Sequence, residues 1–405
     1  MYGRTLYAFM QEQNIGHVEK FIVSRIEEQN AVLGQEVITL EEYAASRMAT
    51  GNIIKDDLII IAVSERYNAE IVIELENRKI YHYLTITQEE WDIIEHATLF
   101  DSIIPQKNIV ILMYHRIIES NYNFWKLNVT PTTFEKHIKY ICENYKVLRL
   151  EEDWENIVEA DQKYVVITFD DGYVDNYQFA LPILEKYHVP ATIFVSTDLI
   201  DTDEMYWWDE LENIFIMNQY MGEFLFNGNL YKVADYDSRK KVCIMIRNHI
   251  KDMNPIKQKE SMNELRSALE VERPVISELR CINTTELTRI AASPYVTIGG
   301  HTKSHLSMGW HHPEELLRSE IKESLRILEK IIRRTPRVFA YPFGGAGDRC
   351  NLADHILSEY GIRKSVLVQN GNVSISDGMY NMPRHMVFEG EDMEKKLKKI
   401  WGIYG

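Results

Sequence analysis

From residue 108 onward, short continuous apolar runs alternate with longer stretches in which apolar residues recur every three or four positions. The runs are NIVILMYH (Asn108 to His115), YVVITF (164–169), ATIFV (191–195), VTIGG (296–300), RVFAY (337–341) and KSVLV (364–368). Unbroken apolar runs of this length fit strands buried on both faces, as in a parallel sheet. Between them, a helix is predicted from Thr132, with Thr132 and Glu135 as a capping box and Phe134, Ile138, Ile141 and Tyr145 on one face. Another is predicted from about Pro313 to Arg334, carrying Leu317, Ile321, Leu325, Leu328 and Ile332. So many strand–helix units predict an α/β fold, either a barrel-like arrangement or an open doubly wound sheet.

Residues 200–290 break this rhythm and read as a mostly helical, polar insertion. An insertion after a strand lies over the C-terminal face of such folds, where active sites are built. The first 95 residues read as a separate small α/β domain. HVEKFIVS (His17 to Ser24) and DLIIIAVS (Asp57 to Ser64) are its strand candidates, with helices over 40–48 and 69–77 and a short apolar segment near Ile80. Polar residues and Pro105 mark 96–107 as a linker, leaving 108–405 as the main domain.

Composition narrows the function classes. With 405 residues, 45% of them apolar, the chain buries a sizeable core. A net charge of -16 with no basic run argues against nucleic acid as a partner. Cys142, Cys243, Cys281 and Cys350 form no CxxC pair and read as free thiols of a reducing compartment. No run approaches 18 apolar residues, so no membrane span is predicted. The first residues, MYGRTLYAFMQEQN, do not read as a secretory signal. A cytoplasmic protein is the expectation.

Two motifs carry chemistry. TFDDG (Thr168 to Gly172) follows an apolar strand directly. Adjacent carboxylates at a strand end repel unless a metal or a proton offsets them. Alone, such a motif also fits a turn with two solvated Asp residues. GGHTKSHLSM (Gly299 to Met308) follows another strand and places His301 and His305 four apart, on one face if the segment turns helically. Together they supply two imidazoles and a carboxylate with a position left open, the pattern of a catalytic metal site.

On these residues, with LMYHRI (Leu112 to Ile117) and AYPFGG (Ala340 to Gly345), the segment 108–405 resembles the polysaccharide deacetylase family, over roughly three quarters of the chain. The LMYH opening and the insertion carrying YWWDELE (Tyr206 to Glu212) look most like the branch acting on exopolysaccharides and surface glycans. The resemblance implies an irregular (β/α) barrel that hydrolyses N-acetyl groups of a sugar polymer or glycan precursor. It implies Asp171, His301 and His305 as ligands of a divalent metal, zinc foremost. Asp170 would be the general base that deprotonates the attacking water, and a backbone N–H near Phe343 would face the developing oxyanion.

The chain departs from the family in two places. Ala340 stands where an Arg orients the base, and YNMPRHMVF stands where a Leu-x-His supplies the acid, with Met382 on the Leu and Arg384 on the His. Two readings follow: Arg384 replaces the missing guanidinium from another strand, or the acid is His115. His385, one residue late, points to the opposite face from Arg384 if both lie on a strand. Trp207, Trp208 and Asp209 are sugar-platform candidates, since indole rings stack on pyranose faces and a carboxylate accepts hydroxyls; Tyr173 and Tyr341 are weaker ones.

The opening YGRTLYAF faintly resembles Rossmann-like domains, with Thr5 where a second Gly belongs, which favours a structural or docking role over dinucleotide binding. Two rivals stand beside the leading reading: hydrolysis of a non-sugar amide on the same fold, and a non-catalytic glycan-binding module. Oligomeric state is not readable.

Overall fold

The computed structural model describes residues 108–154, 157–159, 162–309, 311–373 and 379–402, together with five short strands nearer the N-terminus. The chain divides into two units, Met1–Ile104 and Pro105–Gly405. In the first, β1 (Lys20–Val23), β2 (Ala31–Val32) and β3 (Gln35–Thr39) form one small sheet, parallel between β1 and β3 and antiparallel between β2 and β3. β4 (Ile59–Ile61) pairs in parallel with β5 (Tyr83–Thr85). The strands expected near 17–24 and 57–64 contain β1 and β4. The helices expected over 40–48 and 69–77, the opening YGRTLYAF and the linker over 96–107 lie outside the described residues.

The second unit begins with β6 (Ile109–Tyr114), β7 (Arg116–Ile117), β8 (Asn128–Val129) and α1 (Pro131–Asn144). Thr130, not Thr132, caps α1: its side chain accepts from Thr133 N–H, and Pro131 takes the first helical position, where a missing N–H costs nothing. β9 (Lys146–Leu148), β10 (Tyr164–Phe169), α2 (Leu181–Tyr187) and β11 (Ala191–Val195) follow. The insertion holds α3 (Trp207–Glu212), β12 (Gly222–Phe226), β13 (Asn229–Val233), α4 (Tyr236–Lys251) and α5 (Pro255–Leu269). The chain returns through α6 (Thr284–Ala292), β14 (Val296–Gly300), α7 (Glu314–Ile332), β15 (Val338–Ala340), α8 (Asn351–Glu359), β16 (Lys364–Val366), β17 (His385–Met386) and α9 (Met393–Ile400).

The expectation of a mostly helical insertion needs one correction. β12 and β13 make an antiparallel hairpin across Asn227 and Gly228, both at positive φ. Asn-Gly between alternating apolar residues is a strong two-residue hairpin signal.

The main sheet runs β16–β15–β14–β11–β10–β6–β17, and every pairing along it is parallel. β9 and β11 share one edge of β10: Tyr164–Val166 face β9, while Thr168 and Phe169 face β11. The end strands meet. Leu367 N–H donates to Met382 O at 2.9 Å and Arg384 N–H to Gln369 O at 2.8 Å, which bends the sheet into an irregular barrel rather than an open doubly wound sheet.

Alternation along the strands sorts the core. Val110, Leu112, Tyr114, Val165, Ile167 and Phe169 pack outward with the helices. Ile109, Ile111, Tyr164, Val166, Val338, Ala340 and Val366 fill the barrel. That parity points Thr168 and Asp170 inward at the top of β10.

Candidate active site

β10 ends at Phe169, and Asp170 and Asp171 follow at once. Asp171 and Gly172 both take positive φ, at 74° and 76°, so the two adjacent carboxylates leave the strand in different directions. A side chain at Gly172 would also meet Val195 at 3.0 Å. Asp170 and Asp171 are 2% and 3% exposed, and carboxylates this buried are costly unless each is met by positive charge or donors. Each has its own partner.

Asp171 meets two imidazoles. His305 Nε2 lies 3.1 Å and His301 Nε2 3.3 Å from Asp171 Oδ1. Burial alone raises the Asp171 pKa, but hydrogen bonds from His301 and His305 outweigh it and hold the carboxyl well below its usual range. Burial keeps the His305 pKa low, favouring the neutral ring a metal ligand requires.

His301 and His305 do not share a helical turn; residues 301–309 carry no helix. Instead Thr302 and His305 adopt left-handed backbone, at φ 58° and 59°, and curl the loop until the two rings stand 4.8 Å apart. Such conformations persist only where the surroundings hold them. Glu320 of α7, 5% exposed, accepts from Lys303 N–H and Ser304 N–H at 3.0 and 2.8 Å; Thr302 Oγ1 accepts from Leu306 N–H; Ser196 donates to His301 O at 2.6 Å. Glycine is required beneath the loop: a Cβ at Gly299 would stand 2.4 Å from the Phe194 ring.

Asp171, His301 and His305 each offer a ligand atom within 4.8 Å of the others. His301 Nδ1–H donates to Ala340 O at 2.7 Å, which orients the ring and commits Nδ1, so that Nε2 is the nitrogen left to serve as a ligand. Two neutral nitrogens and one carboxylate, all buried and converging, fit a divalent metal with N/O preference such as zinc.

Asp170 meets Arg384. The guanidinium donates Nη1–H to Asp170 Oδ1 at 2.7 Å and Nη2–H to Oδ2 at 2.6 Å, and it is braced by Nε–H to Leu367 O at 3.0 Å. Burial raises the Asp170 pKa, but the charge and hydrogen bonds of Arg384 bring it below its usual value. His385 is level with Leu112, and Leu112 with Ile167, so Arg384 rises through the barrel interior to reach a carboxylate several residues higher. Ala340, where the family's Arg was expected, is fully buried and serves His301 through its carbonyl.

His385 alternates outward. Its Nε2 contacts Asn372 Oδ1 at 2.9 Å, and burial, with the nearby charge of Lys396, pushes its pKa down to about 4. His385 thus faces away from the barrel interior that Arg384 enters. His115 follows β6 with inward parity, and its charge acts on both Asp170 and Asp171.

The aromatic candidates separate by burial. Trp208, 6% exposed, stacks on Tyr206 at 4.3 Å and packs against His305 at 4.5 Å. Tyr206 OH donates to Asp171 O at 2.7 Å. Asp209 and Tyr173, expected to face sugar, are buried instead. Tyr173 OH donates to Asp209 Oδ2 at 2.7 Å and accepts from Trp208 Nε1–H at 3.1 Å, and its ring lies 5.4 Å from that of Tyr206, so the pair meets the site through Trp208 and Tyr206. Tyr341 turns away and donates to Asp354. Trp207 is half-buried, 5.3 Å from Trp208 and 6.4 Å from Phe343. Phe343, at φ 61°, lies 4.6 Å from His305.

Glu320 was not anticipated as a loop anchor. Its signal was a charge set inside the apolar stripe of α7, between Leu317 and Ile321.

Residues 158–220 and 238–364 match the model of a family described as polysaccharide deacetylase. The chain is 44% identical over 89 residues to a Bacillus subtilis (strain 168) protein named "Putative polysaccharide deacetylase YxkH"; the match covers 21% of this chain and 30% of that relative. Among solved structures, it is similar to the Streptococcus pyogenes deacetylase PplD in complex with acetate, at 20% identity and TM-score 0.44, covering 72% of this chain and 97% of that one. It is also similar to IcaB from Ammonifex degensii, at 16% identity and TM-score 0.48, covering 73% and 97%. Among the described residues, no helix is long and apolar enough to cross a membrane.

Proposed function

We propose that this chain, which carries a domain of the polysaccharide deacetylase family, is a metal-dependent hydrolase that releases acetate from N-acetylated sugars of a glycan or glycan precursor. The observation that carries the reading is the pairing of two buried carboxylates with separate partners: Asp171 with His301 and His305, and Asp170 with Arg384.

Asp171, His301 and His305 would hold the metal, whose chemistry there is Lewis acidity toward water and the amide carbonyl. Asp170, ionised and held by both arms of Arg384, accepts the proton of the attacking water. Its one rotamer is fixed, so little reorganisation accompanies the transfer. Phe343 presents the backbone N–H for the oxyanion, on a turn made rigid by Pro342 and by Gly344, whose N–H donates to Pro342 O. His115 delivers the proton to the leaving amine: Arg384 is committed to Asp170 and does not release a proton, and His385 faces outward. Trp207 offers the ring on which a pyranose stacks.

The test is metal analysis of the purified protein with acetate release from N-acetylhexosamine oligomers, using Asp170→Asn and His301→Ala as controls. Acetate from the wild type and none from either variant is the expected result. Stoichiometric metal without acetate from any N-acetylated sugar shifts the reading to a non-sugar amide. No metal even after zinc is restored favours a glycan-binding module.

A further inference from the structure

The insertion reaches the site through one helix. α4 buries Val242, Cys243, Ile246 and Ile250 in the insertion's own core. Beside that stripe stand Arg247 and Lys251, four apart and therefore on one face. The Arg247 guanidinium lies 5.4 Å from the centre of the Phe343 ring and 6.0 Å from that of Trp125; Lys251 Nζ lies 5.2 Å from Phe343. Phe343 lies 4.6 Å from His305. Two cations thus stand one aromatic ring away from a proposed metal ligand, on a chain whose net charge is -16.

Part of this arrangement holds the insertion to the barrel. Lys251 Nζ pairs with Asp348 Oδ1 at 2.6 Å, and Asp348 also accepts from Ser307 Oγ and Gly345 N–H. That contact occupies one of three ammonium donors. Arg247, 8% exposed, donates to Asn248 Oδ1 at 3.0 Å, and the two ring faces offset part of its desolvation. Trp125, Trp207 and Phe343, all half-buried, complete a rim of aromatic faces and positive charge.

We propose that Arg247 and Lys251, with Trp125 and Trp207, form a subsite for an anionic group, a carboxylate or a phosphate, carried by the substrate next to its N-acetylated sugar. The inference rests on the deacetylase reading of the site and names the substrate class within it. A guanidinium and an ammonium in a partly water-excluded rim recognise such oxygens far better than exposed side chains do. They also counter the repulsion that an acidic protein exerts on an acidic glycan.

The test uses zinc-loaded full-length protein and three probes: neutral N-acetylglucosamine oligomers, oligosaccharides alternating N-acetylglucosamine with glucuronate, and UDP-N-acetylglucosamine. Binding is measured by calorimetry and acetate release in parallel. At least one acidic probe should bind about tenfold or more tightly than the neutral one. The acidic-to-neutral ratio should fall about tenfold in Arg247→Gln and in Lys251→Gln, with part of it restored in Arg247→Lys. The stronger acidic arm identifies carboxylate or phosphate. Equal affinity for all three probes, no binding of either acidic probe, or equal loss for acidic and neutral probes in both variants overturns the subsite. Acetate release without acidic preference overturns it while sparing the deacetylase reading. Charge-dependent binding with no acetate from any probe does the reverse.

Discussion

Arg384 holds both oxygens of Asp170, at 2.7 and 2.6 Å, from two strands away in the main sheet. Arg384 also donates Nε–H to Leu367 O, across the seam where the two ends of the sheet meet. Arg384 stands beside β17, the strand that joins the sheet's end to β6, and Asp170 stands at the end of β10. In the proposed mechanism Arg384 would stand in for the orienting Arg that the family resemblance leads one to expect at Ala340. Arg384→Lys keeps the charge but replaces a bidentate fork with a point donor. It should leave the protein folded and metal-loaded while lowering kcat roughly 10²-fold, the order expected for a misplaced catalytic group. Arg384→Met strands a buried carboxylate and should cost about 3–5 kcal/mol of stability. Steady-state acetate release beside thermal unfolding separates the two. An Arg384→Lys variant with full kcat contradicts the orienting role.

Glu320 acts on the metal ligands through the loop it anchors. Glu320→Ala leaves Lys303 N–H and Ser304 N–H without their acceptor, and should weaken zinc binding about 10–100-fold, the range for residues that orient ligands. Competition against a chelating dye measures it. Glu320→Gln, which keeps an acceptor oxygen, should lose less.

The two tryptophans should respond differently. Trp208 packs on His305 and Tyr206, so Trp208→Ala should destabilise the fold by about 3–5 kcal/mol. Trp207 is half-buried at the rim, so Trp207→Ala should mainly raise KM for oligomeric substrate at nearly unchanged Tm. Unfolding scans and substrate titrations check both. A raised KM with unchanged Tm in the Trp208 variant and not in the Trp207 variant would exchange their assignments.

Asp209 makes stability pH-dependent. Burial lifts its pKa to about 8, against a hydrogen bond from Tyr173 and the charge of Arg116. The folded state therefore favours the protonated acid. Stability from this group is intact below the ordinary carboxylate range and is lost as pH rises through about 8. Asp209→Asn has no charge to bury, so its Tm should gain on the wild type from pH 5 to pH 8 and level off above. A Tm difference constant across that range contradicts the buried acid.

Much of this site was readable from local patterns. TFDDG and HTKSH each follow an apolar strand, and strand ends are where a parallel barrel gathers side chains. Arg384 is readable because its offset from Met382 matches a known motif, while strand parity disfavours His385 without excluding it. The ligand loop is less regular than its spacing: HxxxH suggests a helical turn, whereas left-handed Thr302 and His305 bring the rings together. The burial of Asp209 and Tyr173 was not legible, because their hydrogen bond joins segments 36 residues apart. The hairpin at Asn227-Gly228 carries a two-residue turn signal that the polar composition around it obscures. Arg247 and Lys251 carried no motif; only the packing of α4 against the barrel's rim places them beside Phe343.

The most direct measurement of the central claim is acetate release from N-acetylglucosamine oligomers by one preparation stripped of metal, then reloaded with zinc, beside Asp171→Asn treated identically. Activity that is absent after stripping, returns with one equivalent of zinc, and never appears in the Asp171 variant is the expected result. Acetate release by stripped protein at the wild-type rate, or by the Asp171 variant, would contradict it.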